Sequence, residues 1–384
     1  MTFVARQISN TIRALMAQYP VVAVTGPRQS GKTTLLQTMF PDYQYVSLEN
    51  SNMHTFAQND PLGFLKKYPG NVIFDEVQRV PDLFSYLQTE VDSRREMGRF
   101  VLSGSQNFQL MERVTQTLAG RVALFKLLPF DFEELRAADL LPDEWQKIAI
   151  RGSYPALYDR GIDAAVFYAN YIQTYVERDV TALLRVQDLR QFRNFISLCA
   201  ARTGQLLNLN NLANECGISQ PTAKAWLSIL ESSYLIFLLQ PYYENFSKRV
   251  VKTPKLYFYD TGLVSFLLGL RDTGDIDPVL SGALFENLII AEVFKINHHR
   301  YTLRDYWFWR DQAGNEVDLL TKKGRRFSIA EIKSTQTILP RHFAGLDKFS
   351  ELVNDMVDER TLIYGGRENE ERSRYRVKAW NEPV

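Results

Sequence analysis

The chain has 384 residues, 45% hydrophobic and 23% charged, with a mean hydropathy of -0.23. Its 45 basic and 44 acidic residues nearly cancel, which excludes a global electrostatic footprint for nucleic acid or a membrane surface and leaves only local sites. Cys199 and Cys216 lie in neither a metal-ligand nor a Cys-x-x-Cys spacing, which excludes a disulfide framework and fits reduced, buried thiols.

No charged-then-apolar leader opens the sequence. The longest apolar run, residues 234–239, is far below the ~20 residues a membrane helix needs, so a cytoplasmic protein without a membrane partner is expected.

In residues 5–18, Ile8, Ile12, Leu15 and Met16 share one helical face, and Pro20 stops the helix. The apolar run 21–24 then reads as a buried strand. Residues 26–33, Gly-Pro-Arg-Gln-Ser-Gly-Lys-Thr, follow it and lead into a helix, which is the context of a phosphate-binding P-loop. Gly26 and Gly31 allow the backbone to turn its N–H groups inward, and the helix N-terminus adds its dipole. Gly26, Pro27, Arg28, Gln29, Ser30, Gly31, Lys32, Thr33 and Thr34 are the expected nucleotide-binding residues, with Lys32 on the β and γ phosphates and Thr33 on Mg²⁺.

Residues 43–48 alternate as a strand that ends at Glu49, either a solvated strand end or a contact behind a metal ligand. The short apolar strand 71–74 ends in Asp75 and Glu76, which fit a magnesium-holding acid and the acid that polarises the attacking water. A third strand, 99–102, ends in Ser103-Gly-Ser105-Gln106-Asn107, where a polar side chain such as Asn107 could contact the γ-phosphate, or where a turn simply collects small polar residues. Arg121 precedes the apolar run 122–128. It is a candidate arginine finger, in cis or from a neighbouring subunit, or else a surface ion pair.

These motifs, with Leu-Ala-Gly-Arg-Val around Arg121, Gly152-Ser-Tyr-Pro155 and Tyr-Phe-Tyr-Asp-Thr-Gly-Leu at 257–263, resemble a large prokaryotic family of AAA-like ATPases that carries a C-terminal domain of unknown function. Glu49 departs from the Asp expected there. The resemblance covers nearly the whole chain and implies ATP and Mg²⁺ as cofactors and ATP hydrolysis as the activity, without a pathway.

Further along, Glu177-Arg178-Asp179 is either an interface element or a salt-bridged helix face. Residues 209–230 fit two helices with a tight turn at Gly217, the second capped by Ser219 with Pro221 in its first turn. This looks like a helix-turn-helix, with 234–240 and 255–259 as strands of a wing and the basic tip 247–252 between them. DNA contact through it and a purely architectural role both remain open, because its second helix offers only Gln220, Thr222 and Lys224 to a groove.

Residues 282–296 read as a helix carrying Glu286, followed by strands at 306–310, 316–320 and 327–333. A four-residue turn at 322–325 would set Asp318 across from Ile329 and diagonal to Glu331. Period two then puts Asp318, Glu331 and Lys333 on one face. Asp318 and Glu331-Ile-Lys333, with Glu286 upstream, resemble the core of PD-(D/E)XK nucleases. That likeness implies Glu286, Asp318 and Glu331 as metal ligands and Lys333 as a catalytic group; the alternative is a charged solvent face.

The expectation is therefore an α/β chain in three parts. Residues 1–142 form an AAA-like P-loop ATPase domain with a parallel sheet, 143–260 a helical and winged-helix module, and 261–384 a nuclease-like domain. DNA is the candidate partner, and a homo-oligomer would give Arg121 a use.

Overall fold

The structure, a computed structural model, describes residues 4–94, 96–105, 116–176, 189–243 and 251–382. The first part contains α1 (Ile8–Met16), β1 (Val21–Thr25), α2 (Lys32–Met39), β2 (Gln44–Ser47), α3 (Ser51–Asn59), α4 (Pro61–Lys67), β3 (Val72–Asp75), α5 (Leu83–Arg94), β4 (Phe100–Gly104) and β5 (Val122–Lys126). The strands form one parallel sheet in the order β2-β3-β4-β1-β5, the predicted α/β architecture.

Strand β1 is buried along its whole length, which explains why its sequence is a continuous apolar run rather than an alternation. Period two splits its side chains between the faces. Val22 and Val24 pack with Ile8, Ile12 and Leu35, whereas Val21 and Ala23 join Phe64, Phe74 and Phe84 on the other side. All five carboxyl ends consequently point to one edge, where ligands of open α/β sheets bind.

The middle comprises α6 (Phe132–Ala137), α7 (Trp145–Arg151), α8 (Pro155–Asp159), α9 (Ala164–Tyr171), α10 (Leu189–Ala201), α11 (Leu209–Cys216), α12 (Gln220–Ser232), β6 (Ile236–Leu239), β7 (Lys255–Phe258) and α13 (Thr261–Leu267). Helix α11 ends on the left-handed Gly217 (φ 65°), and the Ser219 hydroxyl caps α12 by accepting from Thr222 N, as the residue types predict. Strands β6 and β7 pair antiparallel. Glu177-Arg178-Asp179 and positions 247–250 of the basic tip lie outside the described residues. Both cysteines are buried free thiols.

Two of the motifs quoted above meet as a joint. Asp260 accepts from Ser153 N at 2.7 Å and from Tyr168 Oη, and it caps α13 through Leu263 N.

The last part opens with α14 (Pro278–His299), capped by Asp277, with apolar residues on most of its circumference and accordingly buried. It is followed by β8 (Tyr306–Arg310), β9 (Glu316–Lys323), β10 (Arg326–Lys333), α15 (Ala344–Leu352), β11 (Val357–Tyr364), β12 (Glu370–Glu371) and β13 (Arg376–Ala379). The sheet order is β12-β13-β11-β10-β9-β8. One continuous apolar core runs from Leu128 through α14 to Ile332, Ile363 and Trp380, and a second packs Leu346 and Phe349 of α15 on the opposite sheet face.

The β9–β10 register corrects the expectation. Lys323 pairs with Arg326 and Leu319 with Ala330, so Ile329 faces Leu320, and continuing the register sets Asp318 opposite Glu331. The hairpin turns on Gly324 and Arg325 alone, with Gly324 at φ 62°, the left-handed geometry that two-residue hairpins use. A slip of two keeps every side chain on its predicted face. Among the described residues no helix is long and apolar enough to cross a membrane.

Candidate functional site

The P-loop leaves β1 at Gly26 (φ 152°), where a Cβ would lie 2.1 Å from the carbonyl oxygen of Leu127. Gly31 (φ 92°) starts α2. Only glycine fits both demands, close backbone approach and left-handed geometry. Lys32 is buried and donates to the carbonyls of Gly26 and Pro27 at 2.9 and 2.8 Å. Burial pulls its pKa down to about 8, against the Glu76 and Asp75 charges. The Ser30 hydroxyl is buried without a partner among the described residues. An orphaned donor inside a glycine-shaped cradle fits a phosphate oxygen.

Asp75 ends β3 and accepts from four donors: Thr33 Oγ1 at 2.9 Å, Tyr45 Oη at 2.6 Å, Glu76 N at 3.1 Å, and Ser103 Oγ. Thr33 and Asp75 thus touch, a hydroxyl and a carboxylate close enough to face one cation. Glu76 sits at φ 54° and accepts from Ser105 Oγ at 3.1 Å and from Gln78 Nε2. The left-handed backbone turns Glu76 out of line with β3, toward the end of β4.

Tyr45 and Gln78 escaped the sequence reading. Tyr45 had a legible signal in its place on β2, the strand paired with β3, two residues before Ser47, the register partner of Asp75. Burial and the Asp75 hydrogen bond raise the Tyr45 pKa, so it stays a donor.

Other candidates fall elsewhere. Asn107 and Gln106 lie outside the described residues. Glu49 makes a surface pair with Arg79 at 3.0 Å rather than a contact behind a metal ligand. Arg121 does not reach the P-loop of its own chain: it precedes β5, on the amino edge of the sheet, and clasps Asp92 through Nε at 2.5 Å and Nη2 at 3.0 Å. Thr34, on the first turn of α2, is exposed.

A buried network ties the P-loop to α14. Arg6 donates to Ser30 O at 2.9 Å and Leu128 O at 2.6 Å, and pairs with Glu134 at 3.0 Å. His299, at the end of α14, pairs with Asp131 through Nδ1 at 2.7 Å and accepts from Leu128 N through Nε2 at 3.2 Å. Asp131, Glu134 and His299 are close enough to ligate a metal, but their ligating atoms are fully buried and already committed to Arg6, to one another and to the backbone.

The second cluster is a cleft of about 540 Å³ beside α14 and the second sheet. It gathers Glu286, Asp318, Glu331 and Lys333, four residues selected from sequence, together with Lys255, Arg310 and Glu316. Lys333 Nζ lies 2.5 Å from Glu331 and 3.6 Å from Asp318. Asp318 Oδ2 accepts from Ile332 N at 2.8 Å, which locks it across the hairpin. Burial and the Asp318 charge push the Glu331 carboxyl up to about 8, against the pull of Lys333. Lys255, which sequence reasoning passed over because it lies on β7, pairs with Glu286 at 2.8 Å and with Glu316.

Comparison with known proteins places the chain in a family. An "AAA domain" model matches residues 18–136, and two models described as domains of unknown function, DUF8612 and DUF4143, match residues 142–274 and 281–382. Two uncharacterized proteins, Rv2008c of Mycobacterium tuberculosis and Mb2031c of Mycobacterium bovis, are each 31% identical over 337 residues, covering 86% of this chain and 74% of theirs. The chain belongs to their family.

It is a family of P-loop ATPases, and Lys32, Asp75 and Glu76 of this chain all fall within the residues that the AAA domain model matches. Among solved structures, the Walker-type ATPase of Pyrococcus abyssi aligns over 68% of this chain and 94% of its own, at 14% identity and a TM-score of 0.44. The RuvB branch-migration motor of Thermotoga maritima aligns over 60% and 87%, at 16% identity and a TM-score of 0.29.

Proposed function

We propose that the chain hydrolyses ATP with Mg²⁺ at the P-loop and uses the nucleotide cycle to control a metal-dependent phosphodiester site in the C-terminal cleft, with DNA as the substrate. At the first site, Lys32 and the backbone of residues 26–33 hold the phosphates, Thr33 and Asp75 hold Mg²⁺, and Glu76 polarises the attacking water. Tyr45 and Ser103 fix the orientation of Asp75, and Ser105 and Gln78 that of Glu76. Magnesium supplies charge neutralisation at the β and γ phosphates; everything else asked of the site is positioning.

One observation carries the second half of the proposal. Glu286, Asp318, Glu331 and Lys333, spread over helix α14 and strands β9 and β10, converge in a single cleft. Three carboxylates with an ammonium beside them suit a divalent cation that binds a phosphodiester and its attacking water. Helices α11 and α12, which leave Gln220 and Lys224 exposed, are the proposed helix-turn-helix contact with the backbone of DNA.

The test is cleavage of end-labelled DNA, single-stranded, duplex and branched, in Mg²⁺ or Mn²⁺ with and without ATP. Cleavage lost in both Asp318→Ala and Glu331→Ala supports the reading, and products identical in the two variants and the wild type remove it. A second reading, a nucleotide-switched regulator that binds DNA or a partner without cutting, is favoured by Lys255, whose ammonium already sits among the acids. DNA binding without cleavage in every form would select it.

A further inference from the structure

The C-terminal cleft already contains a cation. Lys255 is 3% exposed, and its ammonium lies 2.8 Å from Glu286 Oε1, in contact with Glu316 Oε1, and 3.9 Å from Asp318 Oδ1. These acids come from α14 and β9, and the ammonium occupies the place where the three meet. A divalent ion ligated by the same oxygens at roughly 2.0–2.6 Å would need that place, and two cations cannot share it in a poorly solvated cleft.

The lysine reaches the acids from outside the sheet that carries them. Lys255 begins β7, and its backbone is fastened to residues 204–207: Leu206 and Lys255 form a bridge, Gly204 N donates to Leu256 O, and Leu207 N donates to Pro254 O. Tyr257, two residues along the same strand face, donates to Glu286 Oε1 at 2.6 Å, so Glu286 keeps a donor if the ammonium withdraws. Unused acceptor capacity remains as well, because Glu331 Oε2 is buried without a hydrogen-bond partner among the described residues.

We propose that Lys255 is a tethered cation that holds the metal position of the C-terminal cleft, so that a divalent ion enters only as the Lys255 ammonium leaves. The inference rests on reading the cleft as a metal site. It adds the regulation of that site: the part of the chain carrying β7 delivers the blocking charge, and a shift of β7 against α14 opens the cleft. Departure of the ammonium without a replacement would leave Glu286, Glu316 and Asp318 facing one another, and this penalty couples the two events.

The experiment uses the full chain without nucleotide and Mn²⁺ as the probe. Binding is measured by calorimetry, and exposure of Lys255 by amine acylation read out by peptide mass spectrometry. Saturating Mn²⁺ should sharply raise acylation of Lys255 in the wild type and leave it unchanged in Asp318→Asn. Lys255→Gln should bind Mn²⁺ about tenfold tighter than the wild type.

If Mn²⁺ binds in an Asp318-dependent way while Lys255 stays protected, or binds equally well to the wild type and Lys255→Gln, the tethered-cation proposal fails and the metal site stands. If no form shows Asp318-dependent Mn²⁺ binding, both fail. Should Lys255→Gln not fold, acylation of the wild type decides alone.

Discussion

The guanidinium of Arg6 donates to the carbonyl oxygen of Ser30 at 2.9 Å, which places a side chain from the start of the chain against the floor of the P-loop. The same guanidinium pairs with Glu134 and lies beside His299 at the end of α14. Glu286 sits on that helix about 20 Å away, at 1.5 Å rise per residue. Under the proposed function, a nucleotide that moved Ser30 would pull on this network, and the far part of α14 bears an acid of the second cleft.

Arg6→Met should cost about 3–5 kcal/mol of stability, because Glu134 is left buried without its cation. Arg6→Met with Glu134→Leu should recover much of it. Urea unfolding of the two variants gives the comparison, and equal losses in both would show that the ion pair is not the source.

Lys32→Ala should weaken ATP binding on the order of a hundredfold, about 2.7 kcal/mol. Tyr45→Phe should leave binding nearly intact and slow turnover about tenfold, since it removes only one of the donors that orient Asp75. Titration with a fluorescent ATP analogue and steady-state turnover separate the two effects.

Arg121→Ala should leave both the urea midpoint and ATP turnover of dilute protein unchanged. Its partner Asp92 is a surface residue, and the pair lies on the sheet edge away from the P-loop. A turnover defect that appears only at concentrations where chains associate would identify Arg121 as a residue given to a neighbour's site.

Burial, aided by the charge of Lys126, pushes the His298 imidazole down to about 3. The unfolded chain takes up this proton near pH 6.5 and the folded chain not until about 3, so the stability is complete above 6.5 and drains as pH falls through that window, by up to ~1.4 kcal/mol per unit. His298→Gln should flatten this loss. Urea midpoints of wild type and variant from pH 7 to 4 should converge toward the acid end, and curves that stay parallel would exclude His298 as their source.

The P-loop and the Asp75-Glu76 pair were legible because each is a local pattern: a buried strand, then a loop or an acid at its carboxyl end. Ser103 and Ser105 were legible for the same reason. The face shared by Asp318, Glu331 and Lys333 survived a register error because parity depends on even and odd spacing, not on the length of the turn.

Arg6, Lys255 and Glu316 were not legible as site residues. Each acts through a partner distant in sequence, and nothing in its own neighbourhood marks it. Of the alternatives for Arg121, the surface ion pair is the one present in the chain, and a finger within its own chain fails for a topological reason: in a parallel sheet the residue before a strand lies on the edge opposite the ligand, which follows only once β5 is known to run parallel to β1.

The most direct test is phosphate release from Mg·ATP by the full chain and by Glu76→Gln. The wild type should turn over, and Glu76→Gln should bind ATP comparably while releasing phosphate roughly 10²–10³-fold more slowly. Release from Glu76→Gln at the wild-type rate would contradict the assignment of the hydrolytic site.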